Sequence, residues 1–366
     1  MLRAVFLMIG VLMIVGAFIL PPQPAYGPYT WADLISFSDY RSQSVPEIVV
    51  DNKETLRMLY QLGIKETMRK VAQDPAYERD DSACHGAAHV VGRMAFNLMG
   101  VDALAACTTQ CFSGCIHGAL QGMGVRSSGS IDALVDDIRV LCSELPTVFE
   151  RSECIHGAGH GLLLFANYER DDALAACRLL RTREDINDCY TGVFMENLIG
   201  DGSEERFTDD LHYPCNEYKD PAVVEACYRL QPSRFIEAHG NVTEARAECM
   251  RAPAQAACFM RLGQLSGADT ENPPAATEAF CATVPLQFYD DCILGGFRQV
   301  IRVNGIDTTG TAAGFCRALT NPEGKRLCYE QYAEELPDLF NDRETQHSLC
   351  ALFEAPYDVS CLAQND

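Results

Sequence analysis

The stretch Asp102-Ala-Leu-Ala-Ala-Cys107 returns letter for letter as Asp172-Ala-Leu-Ala-Ala-Cys177, and Ile131-Asp-Ala-Leu opens a third version that runs to Cys142. Ala and Leu are strong helix formers, and an Asp near the start suits a helix N-terminus. Each copy is a short helix that ends near a cysteine. A turn-like segment follows, as in Arg181-Thr-Arg-Glu-Asp-Ile-Asn-Asp188. A second cysteine then opens another helix-like run with an apolar face, such as Cys189-Tyr-Thr-Gly-Val-Phe-Met-Glu-Asn-Leu or Cys292-Ile-Leu-Gly-Gly-Phe-Arg-Gln-Val-Ile. The pattern predicts helical hairpins, each clasped across its turn by a disulfide.

The remaining cysteines extend this scheme along the chain. Cys107 pairs with Cys115, Cys142 with Cys154, Cys177 with Cys189, and Cys215 with Cys227. Further on, Cys249 pairs with Cys258, Cys281 with Cys292, Cys316 with Cys328, and Cys350 with Cys361. The second members, with Cys84 upstream, recur about every 35 residues, the period of a helix–turn–helix repeat. Residues 51–72 read as the first helix of the first hairpin but contain no cysteine. Cys84 therefore lacks a local partner, and Cys111 is the one other cysteine outside the scheme, so a Cys84–Cys111 bridge between hairpins one and two is predicted. Each clasp closes a short loop and contributes about 2–3 kcal/mol. Alternating β-branched runs bounded by Asn-Gly or Asp-Gly are absent. The expected fold is all-α: a right-handed-type solenoid of about nine clasped hairpins, preceded by one N-terminal membrane helix.

In architecture this array resembles cysteine-rich Sel1-like and tetratricopeptide-type solenoids, although the Trp…Leu-Gly…Tyr signature of the latter is missing. The resemblance implies a surface for protein partners.

After Met1-Leu2-Arg3 an apolar run extends over residues 4–20 and is stopped by Pro21-Pro22. It is at the short end of what spans a bilayer, and no small-x-small cleavage site follows clearly. Residues 1–20 are therefore read as a membrane anchor in preference to a cleaved signal, with the membrane as partner through residues 4–20 and residues 21–50 as a linker. Everything beyond lies outside the cytoplasm, in a periplasm or at a cell surface, or is secreted if the segment is removed. The 18 cysteines agree, since disulfide frameworks belong to oxidising compartments. The net charge of −22 argues against nucleic acid as a partner, because phosphate binding needs a basic face.

Function is approached through histidine. Of eight in the chain, five directly follow the second cysteines of three consecutive hairpins: Cys84-His85-Gly-Ala-Ala-His89, Cys115-Ile-His117-Gly-Ala-Leu-Gln121 and Cys154-Ile-His156-Gly-Ala-Gly-His160. The fourth hairpin carries Thr191 and Met195 in the same columns. The columns lie one helical turn apart and share a face. Neighbouring helices about 8–10 Å apart bring such faces together. His85, His89, His117, His156 and His160 are thus candidate ligands for a transition metal, Zn or Cu. Glu196, one position past the second column, is the candidate catalytic base or further ligand. Gly86, Gly118, Gly157 and Gly192 form a third column, read either as close helix contact or as room for a ligand.

The metal site is expected in residues 51–200, and residues 201–366 keep the hairpins without the histidines. A metal-dependent hydrolase, a redox protein and a metal-storage or delivery protein all fit. The rival reading is a disulfide-stabilised interaction scaffold without chemistry. Non-covalent haem ranks below a metal ion, and a thiol–disulfide carrier is a third reading below the metal site and the scaffold, since Cys-x-x-Cys is missing. His212, His239 and His347 are read as incidental, Asn241-Val-Thr243 as a glycosylation sequon only in a eukaryotic host, and Arg298, Asp290 and Asp291 as solvated or capping groups.

Overall fold

A computed structural model describes residues 52–74, 81–200, 207–268 and 270–365. The expected membrane segment and linker lie outside these residues. No helix among the described residues is long and apolar enough to cross a membrane.

The described chain is helical, with no strand. Its hairpins are α1 (Asn52–Ala72) with α2 (Asp81–Met99), α3 (Asp102–Ala106) with α4 (Gly114–Arg126), α5 (Ile131–Ser143) with α6 (Val148–Phe165), and α7 (Arg170–Cys177) with α8 (Arg183–Leu198). After an irregular segment come α9 (Pro221–Tyr228) and α10 (Pro232–His239). The pairs resume with α11 (Val242–Cys249) and α12 (Gln255–Ser266), α13 (Pro273–Cys281) and α14 (Tyr289–Asn304), α15 (Thr311–Ala318) and α16 (Pro322–Leu339), and α17 (Arg343–Cys350) and α18 (Tyr357–Asn365).

Local chemistry explains the helix starts. Side chains of Ser130, Thr147, Thr182, Asn241, Asn272, Asn321 and Asp342 each accept a backbone N–H at the first turn of the helix that follows. Such a cap is worth about 1 kcal/mol. Thr147 and Glu150 complete a reciprocal capping box. These caps also correct the expected turn at residues 181–188. Thr182 caps α8, and Glu184 and Asp185 lie in its first turn, where the helix dipole favours carboxylates. The helix therefore starts well before Cys189.

Every cysteine is paired, and the nine disulfides follow the predicted scheme. The inter-hairpin bridge Cys84–Cys111 is among them. In the distal half, Cys258 is bonded to Cys249, Cys328 to Cys316 and Cys361 to Cys350. The placement of these second cysteines needs a correction, because they were expected to open their helices. Cys258 does lie in the first turn of α12. Cys328 lies well inside α16, because Asn321 caps that helix and Pro322 starts it upstream. Cys361 lies midway along the short α18.

The unit around Cys215 departs from the expected hairpin. Cys215 sits in a single 3-10 turn (Cys215–Glu217), and Cys227 lies in the last turn of α9 instead of near the start of a long helix. Asp220 caps that helix with Pro221 behind it, and Pro232 at the start of α10 has no N–H to continue the helical bonding from α9, so one expected helix becomes two short ones.

The long helices α2, α4, α6 and α8 pack side by side at glycine contacts. A Cβ at Gly118 would collide with the His89 carbonyl, and one at Gly192 with the His156 carbonyl. The same device joins α12 to α14, where Gly263 meets Cys292 and Gly295 meets Met260. The glycine column thus marks close helix contact. Gly86 is the exception: nothing lies where its Cβ would be.

An open solenoid repeat touches only its neighbours. Here the chain also returns on itself. Helix α16 packs on α6. The Ile306 N–H donates to Thr109 Oγ1 at 3.0 Å, and Asn341 Nδ2 donates to the Pro146 carbonyl at 3.0 Å.

Candidate metal centre

The close packing of α2, α4, α6 and α8 brings the two histidine columns into one cluster. Adjacent ring centroids among His85, His89, His117, His156 and His160 lie 4.3 to 5.6 Å apart. His89, His117, His156 and His160 are buried, and His85 is half-buried. Ligand atoms of His85, His89 and His117 lie within 4.8 Å of one another, and so do those of His117, His156 and His160. His117 belongs to both groups.

Each outer histidine has its Nδ1 engaged by a fixed partner. His85 Nδ1 meets the Cys111 carbonyl at 3.0 Å; a carbonyl only accepts, so Nδ1 carries the proton. His89 Nδ1 donates to Gln121 Oε1 at 3.1 Å. The orientation of that amide follows from its other contacts: Arg93 Nη1 donates to the same oxygen at 2.6 Å, and Gln121 Nε2 donates to Glu196 Oε2 at 2.7 Å. His156 Nδ1 meets Thr191 Oγ1 at 2.9 Å, and the Thr191 hydroxyl proton is already given to the Asp188 carbonyl at 2.7 Å, so His156 donates. His160 Nδ1 donates to Glu196 Oε2 at 2.8 Å.

In a neutral ring, a proton on Nδ1 leaves Nε2 as a bare lone pair. These atoms face one another in pairs: His85 and His89 at 3.0 Å, His156 and His160 at 3.3 Å. Two lone pairs at that distance repel unless a cation lies between them. Two nitrogen ligands on a tetrahedral ion with bonds of about 2.0–2.1 Å stand roughly 3.3–3.4 Å apart. Neither ring nitrogen of His117 makes a hydrogen bond among the described residues, and its Nε2 is 3.4 Å from Glu153 Oε2. Met195 Sδ lies 3.4 Å from His156 Nε2, adding a soft thioether donor beside the second group.

Burial disfavours the imidazolium form. It holds His85 down to about 4, and His89, His117 and His156 well below the ordinary histidine range, with repulsion from neighbouring histidines adding to the effect. The rings are therefore neutral near pH 7, the form that binds metals. Burial pushes the Glu196 carboxyl up, but the hydrogen bonds from His160 and Gln121 outweigh it and hold the group below the usual carboxylate range. Tyr168 also donates to Glu196 Oε1 at 3.3 Å.

The acceptor for His85 sits in an unusual turn. Cys111, Phe112 and Ser113 all adopt left-handed backbone, with φ of 53°, 57° and 55°. For non-glycine residues this costs about 1–2 kcal/mol each. Two disulfides, Cys84–Cys111 and Cys107–Cys115, bracket the turn and keep it against α2 and α4.

All five predicted histidines and Glu196 come together. Sequence reading missed the roles of Gln121, Arg93, Thr191 and Glu153. For Glu153 a signal existed: an acidic residue directly precedes the long-helix cysteine in three units, as Glu153, Asp188 and Asp291. The setting aside of His212, His239 and Arg298 is corrected. His212 Nε2 and His239 Nε2 lie 3.2 and 3.0 Å from the two oxygens of buried Glu248, which Arg251 also contacts. Arg298 is partly buried and faces Glu335 at 3.5 Å instead of being solvated. Its placement follows from the packing of α14 between α12 and α16, where Met260 and Glu335 meet it.

No family model, curated protein or solved structure matches the chain.

Proposed function

We propose that the protein binds transition-metal ions in the histidine cluster, in two adjoining groups that share His117. The observation that supports this most directly is the pairing of unprotonated Nε2 atoms, each set by a partner on the other ring nitrogen. Oriented imidazoles of this kind are what metal sites use. A proton shared between the rings would relieve the same repulsion, but in the His85–His89 pair burial holds both rings well below the ordinary histidine range.

Residues His85, His89 and His117 would hold one ion and His117, His156 and His160 the other. The Met195 thioether favours copper at the second group, where a soft donor selects Cu(I). The first group suits Zn or Cu(II). Direct contact among the rings leaves no gap for a haem macrocycle. Glu196 is committed to His160 and Gln121, so we assign it an orienting role in place of the general base expected from sequence. That weakens the hydrolase reading and favours metal handling or redox chemistry. The nine disulfides fit an oxidising compartment, and residues 4–20 would tie the body to a membrane there.

The test is metal content of the oxidised full chain after exposure to Zn(II), Cu(II) or reductant-supplied Cu(I). Bound metal should approach two ions per chain and be lost in a His89→Ala/His160→Ala double variant. Absence of stoichiometric metal under all three conditions rejects the reading.

A further inference from the structure

The histidine-free half carries its own inward-facing polar residues. Counted from the cysteine of its helix, Arg298 stands where Gln121, His160 and Met195 stand in α4, α6 and α8, and Glu335 of α16 stands where Glu196 stands in α8. At that position α14 therefore presents a guanidinium where α6 presents an imidazole.

Three arginines gather there. Arg261 on α12 donates through Nη1 to Gln264 Oε1 and through Nη2 to Ser233 Oγ, both at 3.2 Å, while its Nε is buried without a partner among the described residues. Its partners are neutral, so the cation lacks a counter-charge in contact. Arg298 reaches Glu335 only at 3.5 Å through Nε and turns Nη1 towards Met260 Sδ at 3.3 Å. Glu335 is shared with Gln331, which donates to it at 2.9 Å. Arg302, one turn further along α14, is half-buried and makes no hydrogen bond or ion pair among the described residues.

Glu335 is thus the one carboxylate in contact with any of the three among the described residues, while Asp291 and Asp188 feel the charges of Arg298 and Arg302 without contact. All three side chains are partly buried, and a cation withdrawn from water with too little counter-charge is unfavourable, so an added anion is favoured here. The field of Arg302 reaches both halves. It disfavours protonation of His117 and His156, and adds to the burial that pushes Arg261 down to about 10.

We propose that Arg261, Arg298 and Arg302 form a binding site for an oxyanion, the carboxylate or phosphate group of a small ligand, on the inner face near His117 and His156. Arg is suited to this because its planar fork offers paired donors to two oxygens. The residues differ from those assigned to metal, so the site stands whether or not the histidines bind an ion. If they do, a ligand held here lies beside the second histidine group.

The test is calorimetric titration of the metal-stripped full chain with inorganic phosphate and, separately, with acetate. Saturable one-site binding of either supports the proposal, and the preferred anion names the source. Arg302→Gln removes a residue that holds no polar partner among the described residues, so its fold should survive, as a thermal melt will check. It should weaken binding about tenfold, the loss of one charge-assisted interaction. Arg261→Met is the second variant and should do the same. Arg326→Gln controls for net charge, because Arg326 pairs with exposed Glu323 and Glu330. No saturable binding of either anion, or equal weakening in Arg326→Gln, overturns the proposal.

Discussion

The helices α4, α6 and α8 and the helices α12, α14 and α16 are built alike and carry different chemistry. In both sets a disulfide clasps the helix to its partner, and glycines let backbones touch. In the first set the inward columns hold imidazoles whose charge is suppressed by burial. In the second only Arg298 of α14 occupies those columns as a cation, with Arg261 and Arg302 at other positions of α12 and α14. Backbone packing and side-chain chemistry are thus separable in this array. The glycines and cysteines maintain the scaffold, and the inward polar residues past the cysteines differ between the two sets.

The sharpest break in that comparison should come from His117, the residue common to both groups. His117→Ala should remove metal from both, whereas His85→Ala should empty only the first and His156→Ala only the second. Metal stoichiometry by elemental analysis decides this. Equal residual metal in all three variants would show that the groups do not share His117. Removing an orienting partner should do less: Thr191→Val, which frees His156 Nδ1, should weaken metal binding at the second group by about 10–100-fold and leave the first unchanged.

Acid should also separate the two sets. His85 is held to about 4 and His89, His117 and His156 well below their ordinary range, while in the unfolded chain they protonate as pH falls through about 6.5. Below that pH the unfolded state binds more protons. The contribution to stability is therefore full above about 6.5 and is lost as pH falls towards 4. Thermal melts of metal-free protein should show this decline. Limited proteolysis near pH 5 should cut around α2–α8 before α12–α16. Simultaneous opening of both regions would mean that the histidines do not govern the acid response.

How much of this was legible in sequence depends on what a residue's role requires. The hairpins and disulfides were, because Cys107, Cys177 and their relatives recur at helical-repeat spacing with helix-forming runs before them. The histidine convergence was too, because His156 and His160 share a helix face whatever surrounds them. The role of Gln121 was not: a neutral amide gains its importance only when His89, Arg93 and Glu196 from other helices close around it. Arg298 was misjudged for the same reason. It was read as a solvated or capping group because its partners, Met260 and Glu335, lie on the neighbouring helices α12 and α16, which no local pattern announces. The split of α9 and α10 was recoverable from Pro221 and Pro232, but the regular cysteine spacing masked it. The same spacing hid how far upstream of Cys328 the cap at Asn321 starts its helix.

The Gln121 hub gives a prediction of intermediate size. Gln121→Leu leaves Arg93 and buried Glu196 short of a partner, and an unsatisfied buried polar group costs about 1–3 kcal/mol. Chemical denaturation should show a loss in that range. The matching change in the arginine half, Gln264→Leu, removes only one bond to Arg261, 3.2 Å long, and should cost less. Equal losses would mean that the histidine half has no special dependence on its polar network.

The scaffold that both sets share is tested at its glycines, where the smallest effect falls at Gly86. Gly118 and Gly295 occupy the same column in different halves, and in each a Cβ would strike a neighbouring backbone carbonyl, at His89 and Met260. Gly→Ala at either should force the helices apart and destabilise by about 1–3 kcal/mol, as overpacking does. Gly86 stands in that column too, but nothing lies within reach of its Cβ. There the added methyl only restricts the unfolded chain and favours helix, so Gly86→Ala should stabilise by about 0.5–1 kcal/mol. Denaturation midpoints of the three variants give opposite signs if close packing explains the column. A loss at Gly86 comparable to the others would mean that this position needs glycine for a reason other than the contact between helices.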